Sequence, residues 1–163
     1  MSAMSKIITG FFYDIGGREI YEDRVDAKTI TTASGRTLAV GVVADGVGGA
    51  NRGERAAQLA KDAVLDSLSR RPERDVSALL TAAVQDANQA VFGEFRTTQG
   101  ASTTLVVAVI DENNTLYIAN VGDSRVYLSR KDKLTQLTLD HTFANVMPWQ
   151  GKMSAELARE NPR

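Results

Sequence analysis

Thr37 to Ala44 (TLAVGVVA) is apolar at nearly every position, and Asp45-Gly46-Val47-Gly48-Gly49 follows it without a break. A short continuous apolar run predicts a strand covered on both faces. The glycines then end it in a tight loop, ahead of an alanine-rich helical pattern. Such a loop puts the Asp45 carboxylate at a sheet edge with little side-chain bulk around it. Glycine also lets the backbone approach a ligand closely. That arrangement suits an ion held by Asp45 and by the carbonyl of Gly46. Two nucleotide-binding patterns compete for the same residues. The dinucleotide pattern Gly-x-Gly-x-x-Gly needs a glycine where Asn51 stands. The phosphate loop matches at Gly48 and Gly53, but Glu54 and Arg55 replace the lysine and the hydroxyl residue its chemistry requires. An isolated Asp-Gly would be a plain turn after a strand; here the neighbouring segments decide.

Ile7 to Tyr13 and Val25 to Thr32 have the β-branched and aromatic content of strands, with Gly16-Gly17 between them. Ala56, Ala60, Ala63, Val64 and Leu68 recur at helical spacing, predicting a helix over 54–69. A second helix is predicted over 76–95, with Leu80, Ala83, Val84, Ala87, Val91 and Phe95 on one face, Pro72 as the break and Asp75 as the cap. Strands follow at 102–110, 116–120 and 125–129, the last two joined by a Gly122-Asp123-Ser124 turn, with a further short strand at 134–139. From His141 the pattern loosens into short helical pieces broken by Pro148 and Gly151. Strands, two helices, then strands again is an α+β order, with helices on a largely antiparallel sheet.

Composition narrows the chemistry. A chain of 163 residues, 43% hydrophobic and 24% charged, is long enough for one domain with a real core. Its formal net charge of -1 gives no electrostatic case for nucleic acid or anionic membrane. Cysteine is absent and His141 is the one histidine, so a metal would be held by carboxylates, carbonyls and water. That donor set favours magnesium or manganese over zinc or copper. No stretch reaches the roughly 20 apolar residues of a membrane span, and 1–6 lack a signal-peptide core. A cytoplasmic protein is expected.

Five segments carry a resemblance. Val43 to Gly53 is similar to the signature loop of the type 2C, metal-dependent serine/threonine protein phosphatases. Arg18-Glu19-Ile20-Tyr21-Glu22-Asp23 resembles that family's Arg-x-x-x-Glu-Asp element, and Gly100-Ala101-Ser102-Thr103-Thr104 its Gly-x-Ser/Thr-Thr strand opening. Gly122-Asp123-Ser124-Arg125 and Thr138-Leu139-Asp140-His141 resemble two further elements, and all five stand in the family's order.

The resemblance implies an antiparallel β-sandwich flanked by helices and two or more Mn2+ or Mg2+ ions. It implies hydrolysis of phosphoserine or phosphothreonine in a phosphoprotein substrate, by direct attack of metal-activated water. Asp45 is expected to bridge two ions, with the Gly46 carbonyl on one of them. Asp23 is expected to orient metal-bound water, and Arg18 to bind the phosphoryl group. Glu22 lies near the site in a charge-rich stretch (Glu19, Arg24, Asp26), and its role stays open. Asp123 matches a further metal position of some members, while a tight turn explains an aspartate equally well. Arg125 and His141 are expected to be structural. Val47 stands where some members carry a histidine proposed as proton donor.

The family's C-terminal Asp-Gly and Asp-Asn ligand motifs have no match: the chain has one Asp-Gly, at 45–46, and no Asp-Asn. Residues 1–163 are therefore expected to be a single catalytic domain that is C-terminally incomplete, with its core over 6–140 and the start of a flap-like helical segment over 141–163. Impaired activity, uncovered sheet surface and self-association follow as expectations. A catalytically silent, partner-binding module is the competing reading.

Overall fold

The computed structural model describes residues 7–48, 52–97, 100–152 and 154–160. In chain order the elements are β1 (Asp23–Thr31), β2 (Thr37–Val47), α1 (Arg52–Arg70), α2 (Val76–Phe95), β3 (Ser102–Thr103), β4 (Leu105–Ile110), β5 (Leu116–Val121), β6 (Tyr127–Arg130), β7 (Lys133–Gln136), α3 (Phe143–Trp149) and α4 (Ala155–Glu160). The main sheet runs β1-β2-β4-β5, with β3 paired to the end of β2. Every pairing is antiparallel, and β6 and β7 form a separate two-stranded sheet. The α+β architecture is as expected.

Two helices cover one face of the sheet. Because side chains alternate along a strand, Leu38, Val40, Val42 and Ala44 of β2 all point into one core. Leu105, Val107 and Val109 of β4 join them, against Ala57, Ala60, Val64 and Leu68 of α1 and Val76, Leu79, Leu80 and Ala83 of α2. The small residues of α1 let its backbone sit close to the sheet. Asp75 caps α2 by accepting the Ala78 N–H at 2.7 Å, as its position before the helical pattern predicts. Arg71 and Ser67 of the first helical region both bond Asp86 of α2, at 2.9 and 2.7 Å, which fixes the helix pair.

Several boundaries differ from expectation. Residues 7–13 form no strand: Ile8 and Phe12 are 82% and 86% exposed. Strand-forming composition gives no strand without a partner edge to pair with. β2 continues past Ala44 through Asp45-Gly46-Val47, because β3 pairs with Gly46 and Val47. The rest of the glycine loop, 49–51, lies outside the described residues. The run 102–110 splits at Thr104 into β3 and β4. β5 and β6 fall in different sheets, so Gly122-Asp123-Ser124 is a corner between sheets rather than a hairpin turn. Pro148 lies inside α3, one residue from its end.

Leu68 is fully buried beneath the sheet. Leu68→Ala should lower the unfolding free energy by about 3 kcal/mol, whereas Phe92→Ala, at an exposed position, should stay within about 0.5 kcal/mol of wild type. Urea denaturation of the two variants checks both values.

Candidate active site

The β1–β2 register places Asp23 directly opposite Asp45. Directly opposed residues of an antiparallel pair project from the same face. In β2 that is the face away from the helical core, since Asp45 alternates with buried Ala44. The two carboxyls lie close enough to repel when both are ionised and to share a proton when one is not. Burial, and next the facing Asp23 carboxylate, push the Asp45 carboxyl above the usual aspartate range. Arg18 pulls it down and Asp123 pushes it further up. The structure thus brings Arg18, Asp23, Asp45 and Asp123, drawn from three distant segments, into one electrostatic neighbourhood.

Local chemistry sets each of them in place. Arg18 leaves a turn in which the Gly16 N–H donates to Asp14 Oδ1 at 2.6 Å and the Arg18 N–H to the Ile15 carbonyl. It is exposed, so its guanidinium is open to an anion. Glu22 and the two glycines form a tight junction. A Cβ on Gly46 would fall on the Gly53 carbonyl and close to the Glu22 carbonyl oxygen, and one on Gly53 would strike the Glu22 carboxylate. Glu22 therefore faces the start of α1 beside Gly46. The adjacent Arg24 pairs with Glu54 and donates to Gln58 at 2.9 Å, binding β1 to α1.

Sequence reasoning gave no role to the residues that hold Asp45. Its N–H donates to Thr104 Oγ1 at 3.0 Å, and its carbonyl accepts from the Thr104 N–H at 2.9 Å and Thr103 Oγ1 at 3.1 Å. The Ser-Thr-Thr run was the only available signal, and nothing local in it points to a partner 59 residues away. Asp123 sits exposed on its corner. The Gly122 N–H donates to His141 Nδ1 at 3.2 Å and the His141 N–H returns to the Gly122 carbonyl at 2.9 Å. Arg125 donates to Asp140 at 2.9 Å, so both Arg125 and His141 hold the corner. Val47 is exposed at the end of β2.

Two facing carboxylates and an open guanidinium form a hard-oxygen anion pair beside a cation. The pair needs a proton or a metal ion between its members, and the donor chemistry fits a divalent cation of the Mg2+ or Mn2+ type. Among the described residues no three His, Cys, Asp or Glu side chains converge into a ready-made cage. Asp23 acts on Asp45 more strongly than Asp123 does.

The profile of protein phosphatase 2C matches residues 19–147. The chain belongs to the protein phosphatase 2C family. It is 37% identical over 143 residues to the serine/threonine protein phosphatase PstP of Mycobacterium tuberculosis, covering 86% of this chain and 27% of that protein. The crystal structure of the Mycobacterium tuberculosis phosphatase PstP/Ppp superposes with a TM-score of 0.67 at 34% identity, over 89% of this chain and 59% of that one. A PstP catalytic domain in complex with two manganese ions gives a TM-score of 0.63 at 32% identity, over 86% and 58%. The chain thus spans about a quarter of the curated relative and under three fifths of the solved chains.

The raised Asp45 carboxyl has a pH signature. Its folded-state proton affinity exceeds the unfolded one, so the fold is penalised for ionising it. That penalty is absent below about pH 4, the unfolded value, and grows as pH rises through the folded value. Without added metal, Asp45→Asn should therefore raise the melting temperature at pH 7, and the gain should vanish below about pH 4. Circular-dichroism melts across pH check this. A variant less stable than wild type at pH 7 would show that the carboxylates do not oppose each other.

Proposed function

We propose that this chain provides the front part of the catalytic domain of a protein serine/threonine phosphatase that uses Mn2+ or Mg2+. The observation that carries the reading is the register placing Asp23 opposite Asp45, with Arg18 and Asp123 within electrostatic reach. Asp45 and the Gly46 carbonyl would hold the ions, with Asp23 beside them acting through water; Asp123 is a further ligand and Glu22 a flanking carboxylate. Bound divalent ions supply charge neutralisation and activation of water. Arg18 grips two phosphoryl oxygens through its planar fork and favours the charge of the transferring group. Asp23 accepts hydrogen bonds from water and so aims it at phosphorus. Water attacks, the ester P–O bond breaks, inorganic phosphate forms, and the serine or threonine oxygen leaves with a proton. No side chain at position 47 supplies that proton, so solvent or another group does.

The substrate is a phosphoprotein, which places the chain in reversible phosphorylation signalling. Among the described residues no helix is long and apolar enough to cross a membrane, and a cytoplasmic site of action fits the composition. The domain reading is one catalytic unit over 1–163, with 141–163 opening a flap that contains α3 and α4. Exposed apolar side chains such as Leu134 and Leu139 support self-association at high concentration.

A second reading, a catalytically silent module that binds a partner, draws on the absence of a three-ligand cluster among the described residues. Aryl-phosphate hydrolysis with manganese separates the two. In the full parent protein, activity should require Mn2+ or Mg2+, vanish with a chelator, and fall at least about a hundredfold in Asp45→Asn. Arg18→Ala should lower kcat/KM by at least about tenfold, with kcat falling as well as KM rising. A parent protein with no metal-dependent hydrolysis would leave the silent module as the better account.

A further inference from the structure

One hydroxyl joins two parts of the site that the chain supplies separately. Thr104 lies at the break between β3 and β4. Its Oγ1 accepts the Asp45 N–H at 3.0 Å and lies 2.7 Å from Ser124 Oγ, the residue after Asp123. A threonine hydroxyl has one proton and two lone pairs, so both bonds exist at once. On its other side the same residue closes on the corner itself. A Cβ at Gly122, where φ is +99°, would lie 2.8 Å from Thr104 Cγ2. Position 122 must therefore be glycine for two independent reasons, its backbone conformation and the threonine methyl against it. Asn120 Nδ2 and His141 hold the same corner from behind.

β5 reaches the corner from β4, whereas Asp45 belongs to β2. The two share no strand pairing, because β4 lies between β2 and β5. Without Thr104, their relative position would depend on the twist of the sheet and on the backbone alone. We propose that the Thr104 hydroxyl is a positioning group that locks the Asp45 backbone to the Asp123 corner and so fixes the spacing of the two carboxylates. Its effect on ion binding rests on the reading of Asp45 and Asp123 as metal ligands under Proposed function; the lock itself does not.

Three variants of the full chain test it: Thr104→Val removes the hydroxyl and keeps the shape, Thr104→Ser keeps the hydroxyl, and Ser124→Ala cuts only the link to the corner. The first readout is amide hydrogen exchange without metal. Thr104→Val should speed exchange of the Asp45, Gly122 and His141 amides by about tenfold or more, with Val107 and Val109 of β4 unchanged. Ser124→Ala should speed Gly122 and His141 alone, and Thr104→Ser should match wild type. The second readout is Mn2+ affinity by electron paramagnetic resonance of the free ion. It should weaken about three- to tenfold in Thr104→Val and Ser124→Ala and recover in Thr104→Ser. The proposal is overturned if Ser124→Ala leaves corner exchange as in wild type, or if Thr104→Ser behaves like Thr104→Val. Should Thr104→Val not fold, Ser124→Ala decides alone. If wild type takes up no Mn2+ while exchange follows the expected pattern, the lock stands and the metal reading fails.

Discussion

The register of β1 against β2 is the constraint on which the site depends. The two strands pair over nine positions, from Asp23 opposite Asp45 to Thr31 opposite Thr37. A shift of one residue would turn every side chain of one strand to the other face. It would send Leu38, Val40 and Val42 out of the core and Asp45 into it, burying a charge under two helices. The hydrophobic alternation of β2 and the pairing of the carboxylates are therefore one fact. Burial on the helix side fixes which residues face away, and the charged pair occupies the last of those positions but one.

β2 is also the best-tethered strand. β1 lies along one edge, β4 along most of the other, and β3 takes over where β4 stops. That handover at Thr104 lets the strand run on through Gly46 and Val47 as paired backbone. The result is a carboxylate on fixed backbone, flanked by a glycine that admits the start of α1. Fixed backbone keeps the two like charges close, where flexibility would let them part.

Much of this could be read from the residues. The helical periodicities, the Asp75 cap and the apolar run of β2 are local signals, and local signals survive into the fold. Asp45 stood out at the end of its apolar strand ahead of the glycines, whereas Asp23 and Arg18 came from a family resemblance; the structure gathers all three without assigning their roles. What escaped was long-range. Residues 7–13 carry strand-like composition, but propensity does not supply a partner. The split at Thr104 depends on which neighbour β2 has at each position, and that is a property of the sheet. The Thr104–Ser124 bond joins two small hydroxyl residues 20 positions apart. Serine and threonine are common in turns and strand ends for many reasons, so neither announces the other.

At the far end of β2, Arg36 donates to Asp111 at 3.1 Å, Glu112 at 2.8 Å and the Arg74 carbonyl at 2.6 Å. One side chain thereby staples the β1–β2 turn, the α1–α2 connection and the β4–β5 turn. Nine residue steps lead from Arg36 to Asp45, a span of about 30 Å at the usual rise per residue. The molecule has a mechanical pole and a chemical pole, joined by a single stiff strand. Change at the stapled pole would be felt as altered robustness, some 30 Å from the carboxylates and without touching them, at about the usual rise per residue. A lineage could thus tune durability at one end of the strand and leave the charged pair at the other end undisturbed.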